Sequence, residues 1–475
     1  MKTIAFLPLT RTNWPVMVRL VTAVRDSGQG RPVIILSNPL MKELSRDLGG
    51  DIELLETAEG FAPIQPPQAT QGVWPTNVVE SGLRAGFQII RRSRALAPLL
   101  SWHKGRTMEK QLRMAKDLLR KLKPAAIAVS GDRNGGFEPA FLRTARNLGI
   151  PAVIPPTAFS ATLDGLSIAR RQNSAHFVTH RPDFKRQFPN QWRHDPLSGE
   201  DLSFFGVATT RAYANHDMLP ENPWVLGGGL SDWILVDSTD VMRRYTDLGV
   251  TPDKILVTGH PDHDALFLAQ RQKNETRARL YAKYQLDPAK KLILLCLPNW
   301  AEVGFKDWAW HWRESELLCR NAVNHGGNVL LSLHPTQERA RYIHLEKRFP
   351  PLRILDERLA TVMPVADIYF TGLSSSTIPW AVLSLVPTVI ADHYPEKDRI
   401  HAGLPGVLYV PQTDQLHDVL ARLVGDDTYF QALKQHQQES SQRYGALDGH
   451  ATDRIVQALL TSRIRDGGER LAHAA

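Results

Sequence analysis

An alternation that occurs twice constrains this chain more than any other feature. Short apolar runs rich in β-branched residues take turns with segments whose apolar residues recur at helical spacing. Residues 3–9 form the first run. Residues 14–26 follow, with Val16, Val18, Leu20, Val21 and Val24 at helical intervals, and then PVIIL at 32–36. Residues 41–48 predict a helix stopped by Gly49 and Gly50. The pattern continues through AAIAVS at 125–130, a helix at 138–148 stopped by Gly149, and a strand at 151–154. It resumes at DWILVD (232–237), a helix capped by Ser238, and KILVT at 254–258. A second series opens with KLILLCL at 291–297. It proceeds through strands at 328–333, 354–355, 367–371 and 388–391, with helices expected at 313–325, 336–349 and 376–385. Strands this continuously apolar are buried on both faces, so the pattern predicts parallel sheets covered by helices.

A length of 475 residues suits two such domains. The expected division is 1–265, with insertions at 61–124 and 170–225, then 286–412, then terminal helices over 413–475. With 43% hydrophobic and 22% charged residues, the composition excludes global disorder. Two cysteines, Cys296 and Cys319, exclude a disulfide framework and a cysteine-rich zinc site, and suit a reducing compartment. The apolar run at 4–9 is broken by Pro8 and leads into Arg11 and Asn13, unlike a signal peptide. No uninterrupted apolar stretch reaches the roughly 18 residues of a spanning helix. A soluble cytoplasmic protein is the expectation.

Lys and Arg exceed Asp and Glu by 57 to 49, which favours anionic partners. Residues 61–77 are rich in Pro and Gln and predict a loop. Residues 81–124 hold twelve Lys or Arg against Glu109 and Asp117, with Leu, Met and Trp102 interleaved. Such a run is either a solvated helix face or a docking surface for an anionic membrane. No recognition motif accompanies the charge, so nucleic acid is not expected as a partner.

In open parallel sheets, ligands bind at the carboxyl ends of strands. The strand at 328–333 ends at His334-Pro335. The strand at 367–371 ends at Gly372-Leu373-Ser374-Ser375-Ser376-Thr377, just before an apolar helix, and His334 is expected at a neighbouring strand end. Hydroxyls and backbone N–H groups at a helix start suit a phosphate, with a plain helix cap as the alternative. In the first domain, Asp132 follows a strand in a Gly-Asp turn, as a candidate base or as a turn-capping residue. Asp164 is a second candidate acid, and Glu138 and His260 are weaker rivals. Asp262, His263 and Asp264 form a local cluster without a second arm. No His-Glu-x-x-His or cysteine pair exists, so no metal is expected. Gly227-Gly228-Gly229 is a weak phosphate signal.

The His-Pro pair followed by the serine run resembles bacterial surface-polysaccharide glycosyltransferases of the GT-B fold that use CMP-activated acidic sugars, such as sialyl and Kdo transferases. It also resembles glycerophosphotransferases that use CDP-glycerol. The likeness is carried by His334-Pro335 and by VADIYFTGLSSSTIPWAVLSLVPTVI at 365–390, and it extends over about 230–395. It implies two Rossmann-like parallel-sheet domains facing a cleft, with His334, Ser374, Ser375, Ser376 and Thr377 at the donor phosphate. The sialyltransferases carry an acid-acid-Gly motif; here it reads Leu163-Asp164-Gly165, with leucine in place of the first acid.

Ser130-Gly131-Asp132, Gly149–Val153 and residues 232–260 also resemble UDP-N-acetylglucosamine epimerases. Those enzymes have a Gly-His-Arg loop where this chain has Leu297-Pro298-Asn299-Trp300. The resemblances imply a metal-independent transferase without a cofactor. It would move a sugar from a nucleotide-activated donor to a cell-surface polysaccharide or lipid-linked acceptor, with a peripheral place at the inner face of a membrane as the alternative to a purely cytoplasmic one. An epimerase or hydrolase of UDP-sugars, and a non-catalytic component of a polysaccharide-assembly complex, are the alternatives.

Overall fold

The computed structural model of the protein describes residues 1–475 except 12, 50–51, 58–96, 134, 136, 157–165, 168–169, 172, 373–374, 395–398, 405 and 462–475. The expected loop at 61–77, the first part of the basic run, Asp164 and Ser374 lie outside the described residues. The first sheet is built from β1 (Lys2–Leu7), β2 (Gly30–Leu36), β3 (Glu53–Glu56), β4 (Ala126–Val129) and β5 (Ala152–Ile154). After the hairpin β6 (Trp192–Asp195) and β7 (Glu200–Ser203), β8 (Trp233–Val236) and β9 (Ile255–Val257) complete it. All its pairs are parallel, in the order β3-β2-β1-β4-β5-β8-β9.

The second sheet comprises β10 (Leu292–Cys296), β11 (Asn328–Ser332), β12 (Leu352–Ile354), β13 (Ile368–Gly372), β14 (Thr388–Ala391) and β15 (Val407–Val410). It is also parallel, in the order β12-β11-β10-β13-β14-β15. Each sheet therefore starts in its middle, winds to one side and then to the other. The reversal leaves a crevice at the carboxyl ends of β1 and β4 in one domain, and of β10 and β13 in the other. The apolar runs are the reason these segments are central strands: Ile4–Leu7 and Leu292–Leu295 are essentially without exposed surface. The expected two-domain α/β architecture is thus the observed one.

Three departures from expectation have physical causes. The insertion at 170–225 is folded over its described residues. Helix Pro182–Gln187, the antiparallel β6–β7 hairpin and helix Val207–Asn215 bury Val178, Phe184 and Phe188 in one small core and Leu202, Phe204 and Trp224 in another. In the second part of the basic run, helix Ala97–Leu122 turns Met108, Ala115 and Leu119 into the main core of the first domain, with Leu112, Leu118 and Leu122 packed against it. Over 104–122 its apolar face is therefore occupied by protein, and the exposed residues there include Lys110, Arg113, Lys116 and Arg120. Among the described residues, no helix is long and apolar enough to cross a membrane.

The third departure is the last helix, Ala451–Thr461, which leaves the second domain and packs on the first sheet. Ile455, Val456, Leu459 and Leu460 share a core with Ile4, Phe6 and Leu20. Burying side chains of this kind stabilises by about 1.5–3 kcal/mol each. The first-domain side also satisfies both ends of the helix. The Asp264 carboxylate accepts from the N–H groups of Ala451 and Thr452 (both 2.8 Å), and the Lys2 ammonium donates to the Leu460 carbonyl (2.6 Å).

Candidate functional site

The crevice of the second domain lies between the ends of β10 and β13. Pro298, Asn299 and Trp300 follow β10, and the serine run follows β13. His334 follows β11, on the far side of β10. The expectation that His334 and the serines occupy neighbouring strand ends is therefore corrected: β10 separates them. Two strand spacings put the two ends about 9–10 Å apart, and Asn299 stands between them. Asn299 was not foreseen as a site residue. The signal was an Asn at the end of the most apolar run, but its place at the switch point emerges only from the strand order.

The ends of β10 and β11 are bound together by side chains. Gln337 is buried. Its amide donates to the Pro298 carbonyl (3.2 Å) and to the Tyr342 hydroxyl (2.9 Å), and its carbonyl accepts from the His334 N–H (2.7 Å). The Asn299 amide donates to the Thr336 hydroxyl (3.1 Å) and lies 3.2 Å from His334 Nδ1. The Thr336 hydroxyl is 2.8 Å from Nδ1, and the Thr336 N–H donates to Nδ1 (3.2 Å). A backbone N–H only donates, so Nδ1 is the acceptor nitrogen and the proton sits on Nε2. Burial pushes the His334 pKa below the usual histidine range. The ring is thus held neutral near pH 7, with its Nε2–H as a fixed donor.

The serine turn divides its hydroxyls. Ser375 Oγ accepts from the Thr377 N–H (3.3 Å) and touches Thr377 Oγ1 (2.8 Å), which in turn meets the buried Tyr369 hydroxyl (2.5 Å). Ser375 and Thr377 therefore hold the turn, while Ser376 is exposed. The expected helix over 376–385 is shorter, Ile378–Leu383, with Thr377 before it and Pro379 in its first turn. One and a half turns carry little macrodipole, so the hydroxyls matter here more than the helix end.

The other crevice contrasts with this one. Asp132 follows β4, as expected, but its side chain has no exposed surface. Its carboxylate accepts from the N–H groups of Gly227 and Gly229 (2.9 Å each) and from the Ser231 hydroxyl (2.6 Å), with the Lys254 ammonium 3.7 Å away. It is the anchor of the triple-glycine loop. A Cβ at Gly229 would lie 2.3 Å from the Asp132 carbonyl oxygen, and one at Gly228 2.2 Å from that of Asn222. The glycines are required by this close approach, which also accounts for the run read as a phosphate signal. Glu138 is likewise buried, and accepts from the Gly131 N–H (2.9 Å). An acid with its oxygens engaged in this way is placed to position, not to take a proton from an acceptor.

Asp237, at the end of β8, is a different acid. Burial holds its carboxyl above the usual carboxylate range, opposed by His260 and reinforced by Asp262. His260 packs against Trp380 of helix Ile378–Leu383, with ring centroids 5.7 Å apart, so the β9 end of the first domain meets the serine-turn helix of the second. Asp262 is clamped by both domains. Arg19 forms two hydrogen bonds to it (2.7 and 2.9 Å) and Arg358 donates to it as well. Its pKa falls to about 2: burial opposes the shift, and His260, Arg19 and Arg358 outweigh burial. Asp262, His263 and Asp264 thus point to separate tasks. Among the described residues, no group of three or more His, Cys, Asp or Glu could hold a metal ion.

No family model matches the chain, and no curated protein matches it significantly. Solved structures do. One is a UDP-GlcNAc 2-epimerase from Neisseria meningitidis bound to UDP-GlcNAc, with TM-score 0.51 and 14% identity over 97% of this chain and 100% of that one. Another is CalG4, the calicheamicin glycosyltransferase, with TM-score 0.53 and 15% identity over 98% and 100%. A Methanocaldococcus jannaschii UDP-GlcNAc 2-epimerase in complex with UDP-GlcNAc and UDP has TM-score 0.50 and 14% identity over 97% and 99%. At these identities the likeness is one of fold, and the fold of this chain is GT-B-like: two parallel-sheet α/β domains.

Proposed function

We propose that the protein is a metal-independent glycosyltransferase that takes a sugar from a nucleotide-activated donor, with a CMP-sugar favoured, and delivers it to a saccharide or lipid-linked acceptor. The observation that carries this reading is the set of uncharged donors along the adjoining ends of β11, β10 and β13. They are the Nε2–H of His334, oriented by Thr336 and Asn299, and the Ser376 hydroxyl on a turn held by Ser375 and Thr377. Neutral donors aimed at a phosphate stabilise the charge that develops as the nucleotide leaves, and they need no reorganisation at that moment. Ser374 is retained as a donor-phosphate candidate on its sequence motif.

The acceptor hydroxyl needs a base. Asp237, at the end of β8 with its carboxyl held above the usual carboxylate range by burial, is a candidate beside Asp132, which is committed to the glycine loop. Asp164 is retained as a second candidate on its sequence motif.

A second reading, epimerisation of a UDP-sugar, draws support from the epimerases among the similar structures. One experiment separates the two. The protein is incubated with CMP-, UDP- and GDP-sugars in deuterated water, with and without oligosaccharide acceptors. Acceptor-dependent release of the nucleotide is the expected outcome. Deuterium entering the sugar of an intact nucleotide sugar would replace transfer by epimerisation.

A further inference from the structure

Residues 106–123 hold seven Lys or Arg against two acids, Glu109 and Asp117, in a chain whose net charge is +8. They form most of helix Ala97–Leu122 and the residue after it. The helix turns Met108, Ala115 and Leu119 into the core. At about 100° per residue, Lys110, Arg113, Asp117, Arg120 and Lys121 then share the opposite side. All five are exposed, as are Lys116 and Lys123. The row from Lys110 to Lys121 is about 16 Å long, at roughly 1.5 Å per residue.

The charges of this face are not balanced. On the second domain, cations on helices meet carboxylates: Arg279 and Lys283 share Glu357 (2.6 and 3.1 Å), Arg341 meets Glu338 (3.3 Å) and Arg348 meets Glu316 (2.9 Å). Among the described residues, none of Lys110, Arg113, Lys116, Arg120, Lys121 and Lys123 forms an ion pair. A row of like charges repels itself, and an anionic partner relieves that repulsion.

We propose that this face docks the protein on an anionic lipid bilayer by charge alone, without insertion. Two features favour a bilayer over a nucleic acid. The charges lie in a row along the outside of one helix, which a plane of headgroups meets along its length. The exposed residues over 106–123 include no aromatic ring on which a base could stack. The apolar residues there pack into the core, so the contact stops at the headgroups. The helix feeds β4, so it runs against the strand direction and its earlier turns lie toward the strand-end crevice. Docking would set that crevice beside the bilayer, where a lipid-linked acceptor is presented. This last consequence rests on the transferase reading; the docking does not.

The test is co-sedimentation of the full chain with phosphatidylcholine vesicles, with and without phosphatidylglycerol, at low and high salt. Binding to the anionic vesicles is expected at low salt, with little to the neutral ones. Salt should weaken it, because exposed charges are screened over about 8–10 Å. Each basic residue at such a surface is worth about fivefold in affinity. Lys110→Gln, Arg113→Gln, Arg120→Gln and Lys121→Gln together should therefore cost at least about 100-fold, and Gln keeps the helix. Lys290→Gln, Arg341→Gln, Arg348→Gln and Arg422→Gln on the second domain make the charge-matched control, which should bind like the wild type. The docking face is overturned if neither vesicle type binds, if both bind equally, if the face variant still binds, or if the control loses as much. Single-stranded RNA that binds more tightly than the anionic vesicles at equal phosphate would replace the bilayer by a nucleic acid. Thermal shifts with nucleotides should match between the wild type and the face variant. Their absence in both would count against the transferase reading and leave the docking face standing.

Discussion

The two strand-end crevices share a topology and differ in how they use polar atoms. At β1/β4, the Asp132 carboxylate meets two backbone N–H groups, a hydroxyl and an ammonium, and it has no exposed surface. At β10/β13, each polar side chain is fixed by one part and presents another. His334 uses Nδ1 and offers Nε2–H, and the serine turn uses Ser375 and Thr377 and exposes Ser376. A fully satisfied network rigidifies a fold, and a half-satisfied one facing solvent is a place where a ligand supplies the missing partner. The same strand order therefore gives a structural anchor in one domain and a candidate binding site in the other.

Substitutions should separate these roles. The largest effect on stability is expected from Asp132→Ala. It leaves the Gly227 and Gly229 N–H groups and the Ser231 hydroxyl without their acceptor and Lys254 without its carboxylate, a loss of about 3–5 kcal/mol. Gly229→Ala should act in the same direction, because its Cβ collides with backbone. Denaturant unfolding checks both, and a folded, stable Asp132→Ala variant would remove the contrast. Next come Asn299→Ala and His334→Ala. They should unfold within about 1 kcal/mol of wild type and lose on the order of 100–1,000-fold in turnover, as loss of a positioned donor does. Turnover near wild type in both would take the site away from this crevice.

A smaller effect is expected from acid. Burial holds His263 and His401 at about 3 and His311 and His176 at about 4. Below the ordinary histidine pKa of about 6.5 the unfolded chain binds protons that the folded chain does not. The sign follows: stability is fully present above about pH 6.5 and falls as pH drops toward 4. Melting temperatures across that range check it, and a flat profile would contradict neutral burial of these rings. The smallest effect is expected at the domain junction. Arg358 is half exposed, and Arg19 already bonds Asp262 on both oxygens. Arg358→Ala should cost about 1 kcal/mol or less.

Much of this contrast was legible in the sequence, unevenly. The central strands announced themselves, because PVIIL, KLILLCL and NVLLSL are buried on both faces and cannot be polar. The edge strand β3, Glu53–Glu56, is mostly exposed and carries no such run, so nothing marked it. His334 and the serine turn were found because each follows an apolar run directly. The place of Asn299 depends on β10 lying between β11 and β13, which local pattern does not encode. Asp132 was visible as an acid after a strand. That its oxygens are consumed depends on a loop about ninety-five residues away in the chain. The return of helix Ala451–Thr461 to the first sheet is long-range in the same sense.

The central claim is that the β10/β13 crevice holds the phosphates of a nucleotide donor. Its most direct test is the thermal shift of the wild type, Asn299→Ala, His334→Ala and Asp132→Asn with CMP, CDP, UDP and GDP. A ligand at a hundredfold excess over its Kd stabilises the folded state by about 2.7 kcal/mol. The account predicts that at least one nucleotide raises the melting temperature of the wild type and of Asp132→Asn, and that this gain is lost in Asn299→Ala and His334→Ala. No shift with any nucleotide, or a shift that persists in both crevice variants, would contradict it.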